Sequence, residues 1–578
     1  MKHTLFPKHI PTAFWLLACG LFASSLPAEG PGGTPAIAGT VKAPAGVTPE
    51  FFARQLETAK ARRASWLAKA EQAMPTLLRT PMKPVAVVTP QKDAASFQGW
   101  KLVNSGLPAS VLNKPLKTGD SFILDFGEHF TGYLTLALRR FGIPVDAPVR
   151  LALTFGEVPA EVCEDFATYK GGLTRAWLQD EVFNFDDVPQ TASLPRRYAF
   201  RYLKVTVVSS SAHGKFGFAD IFAEAVTSAD ENRLLAFTAR NTDEEALDRV
   251  SRRTLRDCMQ TVFEDGPKRD RRLWLGDLRL QALANYATYR NYDLVKRSLY
   301  ILAGTATDNG LVGTCSFERP EPTRGDNSIL DYTALLAPTV LEYLEASGDR
   351  ATAEDLWPLV VKQLDFTLEP VNEEGLFIPP KGWWLFIDWH PTLDKQAPEH
   401  AIVLTGLKAT LKLAEKIGKG DEAAFIKKII PRMEAAARKH LWDDAIGVFV
   451  SGPNREVSWA SQAWMVIAGV PSAEQARRAM SAVLRSPTAA KPVTPYMHHY
   501  FVEALMEAGL REEAMRHLKF YWGGMIRKGA DTFWEVYLPD DDFASPYGGY
   551  LMNSYCHAWS CTPTYLLRQR PAGLDPGN

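Results

Sequence analysis

The chain's densest chemistry lies between Glu264 and Asp277, in the run EDGPKRDRRLWLGD. Asp265, Asp270 and Asp277 are interleaved there with Lys268, Arg269, Arg271 and Arg272, and Trp274 stands among them. Charges at this density need solvent, partners or a ligand, so the run is not the interior of an ordinary buried helix. Gly266 and Pro267 shape a loop, and Asp277 opens a helical pattern, LRLQALANYATYR. The three aspartates therefore share one loop-to-helix junction, with arginines at hand to orient them. A solvated loop with surface ion pairs has the same composition.

Two further loops share this character. Residues 382–395 (GWWLFIDWHPTLDK) hold Asp388 and Trp389; residues 528–549 hold Trp534 and Glu535, and NSYCHAWS beyond them holds His557 and Trp559. Each mixes carboxylates with aromatics, the pairing a sugar site needs: acids for proton transfer and flat apolar faces for the ring. Any one aromatic loop serves equally well as a plug on a helical array. Three together point to a site. A glycosidase sets two carboxyl groups on opposite sides of the scissile bond, ~6.5–9.5 Å apart when the configuration inverts. One must keep its proton near neutral pH, which burial beside tryptophan or another acid favours. Asp270, flanked by Asp265 and Asp277 and near Trp274, suits that role, and Glu535 suits the other.

The elements that must position these loops change character along the chain. Residues 48–72 have the spacing of a helix, after a Pro/Gly/Ala-rich linker at 29–47. From about Val85, SFILDFGEHFTGYLTLALRRFG, PVRLALTFGEV and YAFRYLKVTVVSS are β-type runs broken by Gly and Pro, which predicts an antiparallel β-sandwich over 85–230. Beyond Glu231 the chain is helical to about residue 570, with roughly twelve amphipathic stretches. The clearest are 276–291, 329–346, 352–368, 400–417, 421–440, 495–509 and 511–528. An open α-solenoid or a closed toroid of six helix pairs fits this pattern. Unequal connections and no readable repeat favour the toroid. Residues 571–578 form a tail.

Lys2, Lys8 and the apolar run Ala13 to Ala23 resemble a signal peptide covering 1–28, cut after Ala28. Export to a periplasmic or extracellular space follows. Lipid attachment at Cys19 is the weaker alternative, and no other stretch is apolar enough to span a membrane. A net charge of −1 gives no general case for nucleic acid or an anionic membrane. The five cysteines after Cys19 form no disulfide framework, and no His/Cys spacing indicates a metal.

The stretch Asp265-Gly266-Pro267-Lys268-Arg269-Asp270, continuing to Trp274-Leu275-Gly276-Asp277, resembles the D-C-P-x-R-E…W-x-G-D signature of the family 78 glycoside hydrolases, the α-L-rhamnosidases. DTFWE at 531–535 resembles that family's T-x-W-E motif, and NSYCHAWSCTPTYLL resembles the segment that closes its barrel. The likeness covers most of residues 95–567. It implies a mainly α fold, an (α/α)6 six-hairpin toroid preceded by a β-sandwich. It implies hydrolysis of terminal α-L-rhamnosyl groups with inversion and without a cofactor or metal. Asp270 would then be the general acid and Glu535 the general base; Asp265 and Asp277 would hold sugar hydroxyls, and Arg269 and Asp388 belong to the substrate-binding set. Trp274, Trp389, Trp534, His557 and Trp559 are candidates for the sugar platform. Two departures stand in the first motif: Gly266 replaces cysteine, and Asp270 is one methylene shorter than glutamate. The second leaves open a catalytically inactive carbohydrate-binding protein on the same fold, and a glycosidase of another sugar. A polysaccharide lyase fits these acid-rich loops poorly.

Overall fold

The computed structural model describes residues 49–569. The leader expected at 1–28, Cys19, the linker at 29–47 and the 571–578 tail lie outside the described residues.

Helix Pro49–Gln72 buries Phe52, Gln55, Ala59, Trp66 and Ala70, one stripe at three- and four-residue spacing. It packs on helices Tyr292–Gly304 and Arg350–Thr367. Trp66 Nε1 and Lys69 Nζ both donate to Asp355 Oδ2, at 3.1 and 2.6 Å.

Nine antiparallel strands follow between Leu78 and Thr227, organised by the 21-residue strand Ser121–Phe141. Its first half pairs with Tyr198–Ser209 and its second with Lys215–Thr227, with an irregularity between Asp125 and Phe130. Phe122 meets Phe218 with ring centroids 6.1 Å apart, although Phe218 is the register partner of Leu138. A straight strand would separate Phe122 from Leu138 by ~53 Å. The strand therefore bends, and the sheet closes over its own core. Alternation along it sends Leu134, Leu136 and Leu138 inward, against Leu151, Leu153, Phe200 and Leu203.

From Thr242 to Arg568 twelve helices alternate between an inner and an outer ring. Leu275–Ala287, Leu330–Ser347, Gln396–Ile417, Trp459–Ile467 and Pro495–Glu507 line the interior in succession, and Pro563–Arg568 returns to Leu275–Ala287 to close the ring. This is the expected mainly α six-hairpin toroid behind an antiparallel β-domain. The inner helix Leu275–Ala287 has no solvent face: eleven of its thirteen residues are buried. Among the described residues no helix is long and apolar enough to cross a membrane.

The two domains are joined by buried charge. His129, on the long strand, sits between Asp257 Oδ2 (2.7 Å) at the end of the first toroid helix and Glu157 Oε1 (3.2 Å). Burial opposes a charge on this ring, but Cys556 and the two carboxylates raise its pKa well above the ordinary value. With both ring nitrogens engaged by carboxylates, the His129, Asp257 and Cys556 group is satisfied as an ion bridge. Cys556 lies beside Cys258, Sγ to Sγ 3.9 Å, and both are free thiols.

Candidate active site

Tight backbone bonding folds the 264–277 run. Asp265 N donates to Arg272 O (3.0 Å) and Arg271 N to Gly266 O (3.1 Å), while Ala558 N donates to Asp265 O (2.7 Å). The last bond fixes this loop to the segment carrying His557. A Cβ on Gly266 would lie 2.4 Å from Arg269 O and 2.6 Å from Ser554 Oγ, so the cysteine of the family signature has no room in this backbone. Lys268 is buried and binds Leu551 O (3.0 Å), Asn553 O (2.7 Å) and Glu161 of the β-domain. Most of the charge in the run is thus structural or inward-facing, and the solvated-loop reading does not hold.

Arg269 joins the two carboxyl groups expected to do the chemistry. Its Nη1 donates to Asp270 Oδ1 at 3.0 Å, and its Nη2 lies 2.7 and 2.6 Å from Glu535 Oε1 and Oε2. Glu535 also accepts from Tyr547 OH (2.5 Å) and Ser554 N (3.0 Å). Burial alone would raise the Glu535 pKa, but Arg269 and then His557 overcome it and hold the carboxylate down at about 2. Asp270 is the more open of the pair, its side chain 15% exposed against 3% for Glu535.

Asp265, Asp277 and His557 form the neighbouring wall, all buried. Burial, then Asp270 and Asp277, push Asp265 up to about 8, so it carries a proton at neutral pH. Burial also raises Asp277, against the pull of His557. His557 loses by burial but is driven up to about 9 by Glu535, Asp277 and Asp265. Its Nε2 is 3.4 Å from Asp277 Oδ1, and neither ring nitrogen has a hydrogen bond. A buried cation and two acids with unfilled hydrogen-bonding capacity suit a polyhydroxylated ring.

The aromatic candidates divide. Trp274 and Trp389 are half-buried, and their indole N–H groups are buried without a hydrogen-bond partner. Trp559 is buried, donates from Nε1 to Glu535 O (3.0 Å) and lies against His557, ring centroids 4.5 Å apart, so it supports the site from behind. Trp534 turns to the β-domain. It is 1% exposed and stacked on Phe97 of the β-domain, 4.1 Å between centroids, with Tyr537 and Tyr555 at its edges. Glu535 meets Arg269 while the neighbouring Trp534 packs on Phe97. The oxygens of Asp388 accept from Val493 N (2.7 Å), Thr494 N (3.0 Å) and Thr494 Oγ1 (2.5 Å), so it clamps two loops together.

Sequence reasoning missed Tyr547 and Asp331. Tyr547 stands in the 528–549 loop, but nothing in its surroundings, Pro546-Tyr547-Gly548-Gly549, indicates that its ring lies 4.3 Å from the Arg269 guanidinium carbon with its hydroxyl on Glu535. Asp331, at the start of an inner helix, accepts from Phe386 N (2.9 Å) and Ile387 N (3.1 Å) and so shapes the loop that bears Trp389.

Residues 84–225 match the glycosyl hydrolase family 78 alpha-rhamnosidase N-terminal domain, and residues 232–570 the bacterial alpha-L-rhamnosidase 6 hairpin glycosidase domain. A rhamnosidase from Klebsiella oxytoca, solved with rhamnose bound, is similar at 42% identity and a TM-score of 0.85, covering 88% of this chain and 98% of that one. The family 78 rhamnosidase of Bacillus sp. GL1 shares the fold at 23% identity and a TM-score of 0.66, over 81% of this chain and 49% of that one. Among curated proteins, the N,N'-diacetylchitobiose phosphorylase of Vibrio proteolyticus is 24% identical over 176 residues, 26% of this chain. The match spans 21% of that relative's length.

Proposed function

This chain belongs to glycoside hydrolase family 78, and we propose that it is an exported enzyme that removes terminal α-L-rhamnosyl residues with inversion, using Asp270 as acid and Glu535 as base. In that reaction a water oxygen bonds to the anomeric carbon and gives its proton to Glu535. The bond from that carbon to the glycosidic oxygen breaks, and the departing oxygen takes a proton from Asp270. Protonated Asp265, Asp277 and His557 hold the sugar hydroxyls, and Trp274 and Trp389 face the ring. The rhamnose carried by the Klebsiella relative supports a rhamnosyl substrate here.

The observation that carries this reading is the shared guanidinium. Asp270 Oδ1 is 3.0 Å from Arg269 Nη1 and Glu535 Oε2 is 2.6 Å from Nη2. With ~2.3 Å between the two nitrogens of a planar guanidinium, the carboxyl oxygens are at most about 8 Å apart. That bound is compatible with the ~6.5–9.5 Å of inverting pairs. Turnover of an aryl α-L-rhamnoside by Asp270→Asn and Glu535→Gln tests the roles: each substitution should remove it, and activity retained in both contradicts them. The signal-like run at Ala13 to Ala23 supports export, which the N-terminal sequence of the secreted protein tests: it should begin after Ala28.

The shorter side chain at 270 favours a second reading, a sugar-binding protein without turnover. It predicts rhamnose binding by the wild type, no hydrolysis of any aryl glycoside, and restored hydrolysis in Asp270→Glu.

A further inference from the structure

A carboxylate offers about four lone-pair positions, and in Glu535 each is met by a donor. Oε1 accepts from Arg269 Nη2 and Tyr547 OH, and Oε2 from Arg269 Nη2 and Ser554 N. A base so enclosed cannot receive a water until one donor withdraws. Ser554 N is backbone. Arg269 is pinned through Nε to Met552 O (3.2 Å) and through Nη1 to Asp270. Tyr547 alone offers a donor that turns about a single bond and can itself accept from water.

The β-domain determines where that hydroxyl lies. Its excursion between strands Val149–Gly156 and Asp180–Phe185 rests on the 544–552 loop: Gly172 N donates to Tyr547 O at 2.7 Å, and Phe166, Leu178, Leu551 and Met552 share a core on which Tyr547 packs. A Cβ on Gly549 would lie 2.8 Å from Tyr169 Cε2, so the glycine permits this contact. Tyr169 has a phenol without a partner.

We propose that Tyr547 is a positioning residue that reserves the attacking water's place on Glu535 Oε1, and that the β-domain holds it there through Tyr169 and Gly172. The inference rests on Glu535 being the base. The charged and titratable groups around that base are Arg269 and Asp270 on the first loop, Asp277 on the inner helix, His557 behind it, and Tyr547.

Tyr547→Phe keeps the ring beneath Arg269 and removes only the hydroxyl. Its kcat and KM for an aryl α-L-rhamnoside are to be measured across pH, with Glu535→Gln alongside. The expected result is a kcat reduced about tenfold or more, a KM changed less than about threefold, and an acidic limb moved up by about one pH unit, because a carboxylate losing a donor binds its proton more tightly. Tyr169→Ala, which leaves the hydroxyl in place but loosens the loop, should lower kcat in the same direction and serves if Tyr547→Phe does not fold. An unchanged kcat and acidic limb in Tyr547→Phe, or in Tyr169→Ala an unchanged kcat, overturns the proposal while Glu535→Gln remains inactive. Turnover by Glu535→Gln instead removes the base reading itself.

Discussion

One terminal nitrogen of Arg269 lies 2.7 and 2.6 Å from the two oxygens of Glu535, with both side chains almost fully buried. Two residues 266 positions apart in sequence are thereby locked as an ion pair at the floor of the site. The pair is oriented on both sides, by Met552 O and Asp270 on the arginine and by Tyr547 and Ser554 on the glutamate.

Breaking that pair from one side leaves a buried, uncompensated carboxylate, a loss of about 3–5 kcal/mol. Arg269→Met should therefore destabilise the fold by that order in denaturant titration and abolish turnover. Arg269→Lys keeps a charge but cannot span Asp270 and Glu535, so it should retain more stability than activity. Equal stability of Arg269→Met and wild type would show that the pair is not buried as described.

The titrating wall predicts how stability varies with pH. Glu535, depressed to about 2, contributes stability that is full above about pH 4.5 and lost as pH falls through 2. His557, raised to about 9, contributes stability that is full below about pH 6.5 and lost as pH rises through 9. Asp265, raised to about 8, acts in the same direction as His557: between pH 3.8 and 8 the folded chain keeps a proton that the unfolded chain releases, so stability declines as pH rises. The melting temperature should fall from pH 6 to pH 9, and fall less in Asp265→Asn, which has no proton there to lose. Parallel curves for the two proteins would contradict the assignment to Asp265.

The tryptophans should separate by function. Trp389→Ala removes a half-buried ring with a free N–H and should raise KM for a rhamnoside about tenfold or more. Trp534→Phe, behind Glu535 and stacked on Phe97, should leave KM within about twofold and lower the melting temperature instead. Steady-state kinetics and thermal melts on the two variants check this; a large KM effect at Trp534 would return it to the sugar platform.

The carboxylate run was legible because charge at that density, punctuated by Gly266 and Pro267, has few places in a folded chain. Period separated the β-domain from the toroid, though an almost wholly buried inner helix such as Leu275–Ala287 lacks the polar face that marks the outer ones. What sequence could not supply was direction. Glu535 and Trp534 are neighbours, and local spacing does not say which of them meets Arg269 and which packs on Phe97. Asp388 and Asp265 are both acids in aromatic or charged loops, yet one is filled by the backbone at 493–494 and the other keeps a proton in a buried wall. Tyr547 depends on a loop held down by another domain, a contact invisible to local spacing.

The central claim is that Asp270 and Glu535 act as an inverting acid and base on an α-L-rhamnoside. Proton NMR of the first sugar released by wild-type enzyme from an aryl α-L-rhamnoside tests it most directly. The account predicts that β-L-rhamnose appears first and then mutarotates. Initial release of α-L-rhamnose, or no release at all, would contradict it.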